Sequence, residues 1–213
     1  MLFGAYLEGG GLEVRRRSGG GVRLAGRFPY RKTATLSDGG RTGRPRKEVF
    51  EPRAFAFRVE DPTKEIHLLV GHDYNRPLAS KLTGTLTLTD SDDALSFTAD
   101  VPEEIAQTSY GKDVIAQIGA GLAFGVSPGF RIPPERAVAE PEFIEEEPDD
   151  GTLDENGDPR RGALIRHVRE ALLYELSIVT RPAFKQTEIE VEKRNWQPAK
   201  VIRPVLHHSA RWR

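Results

Sequence analysis

No cysteine occurs anywhere in the 213 residues, which removes disulfides, thiolate nucleophiles and zinc–thiolate centres together. Any covalent catalyst in the chain must therefore be a serine, a threonine, a lysine or a carboxylate. Net charge is almost absent as well. The 31 basic and 32 acidic side chains leave −1, so no overall field favours nucleic acid or an anionic membrane, and neither is expected as a partner. No apolar run approaches the ~20 residues that span a bilayer. The opening Met-Leu-Phe-Gly-Ala-Tyr-Leu-Glu lacks a basic segment followed by a long apolar one. A cytoplasmic protein without a cofactor is the expectation.

What is present suffices for a core: 38% of residues are hydrophobic and 30% charged, a balance that argues against wholesale disorder. One domain over residues 1–194 is expected, with a change of character after it. Residues 195–213 hold Lys200, Arg203, Arg211, Arg213 and two histidines but no acid, and read as a basic tail, either solvated chain or a docking or cleavage segment. Residues 140–160 carry ten acidic side chains among prolines and glycines. Such a run reads as a solvated inserted loop rather than a metal site, which would need fixed convergent oxygens.

Along the chain the glycine-rich residues 1–21 suggest a hairpin or a loose lead-in. A strand follows over 22–36 with Pro29 at an edge or bulge, then a turn at 37–43, a short strand reaching Phe50, and a helical turn from Pro52 that buries Phe55. Residues 65–70 form a short apolar strand ending at Gly71-His72-Asp73. Alternation over 82–89 and 94–101, across Asp-Ser-Asp-Asp, predicts an antiparallel hairpin. Residues 102–119 read as helical, with Gly119 and Gly121 stopping the helix. Residues 122–132 make a strand, 163–180 the longest one, and 187–191 a last short one.

Three side-chain types in these strands bear chemistry. Ser127 is the hydroxyl of the apolar stretch 122–132, set between Gly125 and Gly129, whose missing side chains would let a substrate backbone come close. It is a candidate nucleophile; otherwise it is a small residue at a bulge. His72, beside a glycine at a strand end, can aim its ring into a cleft or serve as a cap. On a period of two, Leu173, Glu175, Ser177 and Val179 share one face of the last long strand, and Leu172, Tyr174, Leu176 and Ile178 the other. A carboxylate there needs a partner, and a histidine would serve.

Gly71-His72-Asp73, Tyr-Gly-Lys-Asp-Val-Ile at 110–115, Gly-Leu-Ala-Phe-Gly-Val-Ser-Pro-Gly-Phe at 121–130 and Leu-Tyr-Glu-Leu-Ser-Ile-Val-Thr-Arg-Pro-Ala at 173–183 resemble, in order, the tailed-phage prohead protease family. Glu-Val-Phe-Glu-Pro-Arg-Ala-Phe at 48–55 extends the likeness. That family is similar to the herpesvirus assembly proteases. The resemblance implies a mainly β, α+β fold: a closed or nearly closed antiparallel β-barrel surrounded by helices. It implies a serine endopeptidase inside the assembling prohead in the host cytoplasm, cutting scaffold or major capsid protein extensions and itself, with dimerisation or crowding supporting activity. Competing readings are a catalytically silent barrel acting as an assembly factor, and an unrelated small-molecule hydrolase.

The resemblance assigns His72 as general base and Ser127 as nucleophile. Herpesvirus enzymes use a second histidine as third member; here the corresponding strand offers Glu175, with His167 as its rival. Pro128 has no N–H to give an oxyanion hole, so backbone donors near Gly129 or around Thr180 and Arg181, or an arginine, would have to supply it. Ser177 is a second hydroxyl nearby, either a strand-packing residue or an alternative nucleophile.

Overall fold

The computed structural model describes residues 12–16, 21–41, 43–123, 125–153 and 157–182. The expected strand at 187–191 and the basic tail lie outside them. Among the described residues, twelve strands fall in three four-stranded sheets. The first is ordered β1 (Leu12–Arg16), β2 (Val22–Pro29), β8 (Ala94–Val101), β7 (Leu86–Asp90). The second runs β10 (Glu142–Glu146), β11 (Leu164–Val168), β4 (Arg46–Phe50), β3 (Thr33–Ser37). The third runs β6 (Asp73–Ser80), β5 (His67–Val70), β12 (Leu172–Val179), β9 (Gly125–Arg131). Three helices, α1 (Ala56–Glu60), α2 (Glu103–Ala106) and α3 (Ser109–Gly119), complete the described elements.

The chain is mainly β as expected, but the barrel is not there. No sheet among the described residues closes on itself, and each ends in two edge strands. Nor is the pairing purely antiparallel, since β11 runs parallel to β4 and β12 parallel to β5. The three sheets are held instead by one aromatic cluster. Phe28 of β2 meets Phe50 of β4 edge-on at 5.3 Å, and Phe50 meets Phe130 of β9 at 5.0 Å, so each sheet contributes a ring. Phe55, fully buried just before α1, lies 5.1 Å from Phe50. Such edge-to-face pairs add to the area their rings bury.

Local chemistry explains most elements. The β7–β8 hairpin forms as its alternation predicts; Ser91 closes the turn by donating its hydroxyl to the Ala94 carbonyl. The Thr108 side chain accepts from the Gly111 amide and so caps α3, which buries Val114 and Ile118. Of the two glycines expected to stop that helix, Gly121 takes the left-handed backbone, φ +69°, while Gly119 is the last helical residue.

Three segments depart from expectation. The stretch 22–36 is two strands, β2 and β3, in different sheets, broken where Arg31 takes a left-handed backbone, φ +56°. The stretch 163–180 is two strands, β11 and β12, in different sheets. Between them the Ala171 amide donates to the Ala54 carbonyl, tying the break to the turn before α1. The acidic run is not simply a hanging loop: its Glu142–Glu146 pairs with β11 as an edge strand. Its charge is met from β11, β4 and the residue Arg44 just before β4. Arg166 binds Glu142 and Glu48, Lys47 binds Glu147, and Arg44 binds Glu146 and the Glu147 carbonyl.

Candidate active site

β12 lies between β5 and β9, and this placement assembles the site. Directly opposed residues in a ladder project from the same face of a sheet. Ser177 opposes Ser127 and Glu175 opposes Gly129, so the two hydroxyls and the carboxylate of these strands share one face. The opposite face of β12, with Leu176 and Ile178, enters the core. The period-two reading fails at one point: a bulge between Leu173 and Glu175 turns Leu173 into the core with Leu176 and Ile178.

His72 arrives from the other side of β12, in the two-residue connection between β5 and β6. Gly71 and His72 both have φ of +62°, as a hairpin turn with two left-handed residues requires. A non-glycine residue there costs about 1–2 kcal/mol, and two hydrogen bonds to β12 offset it. The Gly71 amide donates to the Ile178 carbonyl, and the His72 amide donates to Ser177 Oγ at 2.8 Å.

With its backbone fixed, His72 sets Nδ1 2.7 Å from Glu175 Oε1. The carboxylate is 4% exposed and the imidazole 46%, so a buried anion holds a ring whose other edge is open to solvent. Against an ionised carboxylate this contact requires the proton on Nδ1, which in the neutral ring leaves the lone pair on Nε2. The second oxygen, Oε2, accepts the Ser177 hydroxyl at 2.7 Å. Partial burial and, after it, the Glu175 charge raise the pKa of the nearby Tyr74 phenol.

Gly129 has a different use from the one its sequence suggests. A Cβ built on it would overlap Glu175 Oε1, so its bare backbone makes room for the carboxylate, not for a substrate. A Cβ on Gly125 would likewise strike the Pro182 ring. Pro128 opposes Leu176 and turns inward on an edge strand, where a missing N–H is tolerated.

Ser127 is half-buried and, among the described residues, its hydroxyl has no hydrogen-bond partner. His72 and Glu175 are thus joined directly, while Ser127 stands across Ser177 from the His72 turn without a bond to the imidazole. His167 lies in the second sheet. Its Nδ1 is 2.8 Å from Glu51 Oε1, its Nε2 is 2.9 Å from Glu145 Oε2, and Phe143 stacks on its ring at 4.5 Å. No group of side chains suited to hold a metal occurs among the described residues, and no described helix is long and apolar enough to cross a membrane.

The profile of the family described as caudovirus prohead serine protease matches residues 37–201, which contain every residue of this site. No curated protein and no solved structure matches the chain.

Proposed function

The chain belongs to the caudovirus prohead serine proteases, and on that premise we propose that Ser127 is the nucleophile, His72 the general base and Glu175 the carboxylate that orients it. The family makes the protein a serine protease acting in capsid maturation. The observation that supports the residue assignment best is the 2.7 Å contact between His72 Nδ1 and Glu175 Oε1, with Ser127 on the same face one strand away.

The chemistry runs as follows. On substrate binding His72 Nε2 meets Ser127 Oγ, a step left to the complex because such contacts are often loose in free enzymes. Nε2 takes the hydroxyl proton as Oγ attacks the scissile carbonyl carbon. Glu175 fixes the tautomer and stabilises the imidazolium without taking the proton. The carbonyl oxygen becomes the oxyanion; its donors come from elsewhere than Pro128, with the backbone near Gly129 or around Thr180 and Arg181, or an arginine, as candidates. Nε2 then protonates the leaving amine, and water repeats the sequence on the acyl-enzyme.

The substrates in this reading are extensions of the major capsid protein and scaffold, and the protease itself, cut inside the assembling prohead in the host cytoplasm, with a homodimer or crowding as the active state. The test is co-expression with the capsid precursor and mass spectrometry of the products. Ser127→Ala and His72→Ala should each lower kcat by roughly 10⁴–10⁶-fold, and Glu175→Gln by about 10⁴-fold, with the fold intact. Cutting that persists in folded Ser127→Ala would refute the assignment.

A further inference from the structure

The Ser177 hydroxyl joins the backbone of one catalytic candidate to the carboxylate of another. It is fully buried, accepts the His72 amide at 2.8 Å and donates to Glu175 Oε2 at 2.7 Å. Glu175 Oε1 at the same time holds His72 Nδ1. The three contacts close a ring: imidazole to carboxylate, carboxylate to hydroxyl, hydroxyl to the amide of the residue that carries the imidazole. No other side chain in the described residues hydrogen-bonds both His72 and Glu175.

This geometry leaves little room for the two simpler roles of Ser177. As a nucleophile it would need an approachable oxygen and a basic nitrogen beside it. Its oxygen is buried, its proton is committed to a carboxylate, and what it receives from His72 is the backbone N–H and not a ring nitrogen. As mere packing it would be replaceable by alanine, but alanine leaves the buried Oε2 without its donor and takes from the His72 N–H the acceptor that fixes its turn. We infer that Ser177 is a positioning residue: its hydroxyl fixes the left-handed His72 turn and the plane of the Glu175 carboxylate together, so that Nδ1 stays on Oε1 and Nε2 points towards Ser127.

The inference rests on His72, Glu175 and Ser127 acting as proposed above. A carboxylate held by one oxygen can swing about that contact, whereas one held by both cannot, and the imidazole inherits the difference. A loss of alignment of the order of 1 Å costs about 10²-fold in rate. Because Ser177 is fully buried, substrate does not meet it, so the loss should fall on kcat and leave KM nearly unchanged.

The experiment uses the full chain, a peptide spanning a mapped cleavage site, and a fluorophosphonate that labels active serines. In Ser177→Ala, kcat and the labelling rate should both fall about 10²-fold with KM within about twofold, label still on Ser127, and the downfield His72 Nδ1–H proton resonance displaced or lost. Ser177→Thr, which keeps the oxygen, should recover most of the rate. Should the alanine variant fail to fold, Ser177→Cys fills the site with a slightly larger atom that donates weakly, and should lose most of the same factor. A folded Ser177→Ala or Ser177→Cys with wild-type kcat and an unmoved proton resonance overturns the inference while leaving the Ser127 assignment intact. Label found on Ser177, or a folded Ser127→Ala that still cuts and labels, overturns the assignment and the inference with it.

Discussion

At Gly129 a residue with no side chain decides where a charge can sit. The Glu175 carboxylate occupies the space that a Cβ at 129 would fill, and it is nearly inaccessible to solvent. A buried carboxylate is tolerable only where hydrogen bonds replace water, and here His72 and Ser177 supply them. Gly129→Ala must push the carboxylate off Oε1's place, breaking its contact with Nδ1. The variant should lose about 10²–10⁴-fold in kcat and about 1–3 kcal/mol of stability from overpacking. Parallel activity assays and urea melts check this. Full activity in Gly129→Ala would mean that the carboxylate can act from another position.

At the scale of the element, charge pairing decides whether the acidic run forms a strand. Glu48 of β4 is buried, and its pKa is raised, chiefly by burial, with Arg166 of β11 opposing that rise and Glu142 of β10 adding to it. Arg166 therefore holds three strands by bridging Glu48 and Glu142. Arg166→Ala should cost about 1–3 kcal/mol, the penalty of leaving such a carboxylate without its partner, and should release β10 from the sheet. Amide exchange at residues 142–146 would report that release; unchanged protection there would show that the β10–β11 ladder holds without the pair. The same strand shows why sequence alone misses it: five residues with three glutamates read as solvated chain until Arg166 and His167 of β11, and Arg44 just before β4, are known to be neighbours. The β7–β8 hairpin was legible because its alternation is local. The catalytic candidates were legible as residue types next to glycine, serine and apolar strands. The clamp role of Ser177 was not, because it depends on β5 and β12 lying side by side, and the bulge at Leu173 is likewise invisible to a strict period of two.

For the whole molecule, closure by hydrogen bonds gives way to closure by packing. Three open sheets share one set of rings, Phe28, Phe50, Phe55 and Phe130, where a closed antiparallel barrel was the expectation from resemblance. At the rim of that cluster Tyr30 donates its hydroxyl to Asp90 at the end of β7, 2.5 Å away, while the other Asp90 oxygen is buried and has no hydrogen-bond partner among the described residues. Burial raises the Asp90 pKa above its ordinary 3.8, and the Tyr30 hydroxyl offsets only part of the rise. The unfolded chain therefore ionises Asp90 more readily than the folded one. The contribution of Asp90 to stability is complete below about pH 3.8 and is lost as pH climbs through the raised value. Asp90→Asn keeps an oxygen for Tyr30 and cannot ionise; the cost of its buried NH₂ is the same at every pH. Urea melts of wild type and variant between pH 4 and 7 should thus differ in slope: as pH rises above about 3.8 the variant gains relative to the wild type, and the gain levels off once pH has passed the raised Asp90 value, whatever their offset at pH 4. The comparison cancels Asp61, Glu65, Glu147 and Asp150, whose lowered values tilt both proteins alike the other way. A constant offset across that range would mean that Asp90 is as well solvated in the fold as outside it, and that the rim of the aromatic core is open to water.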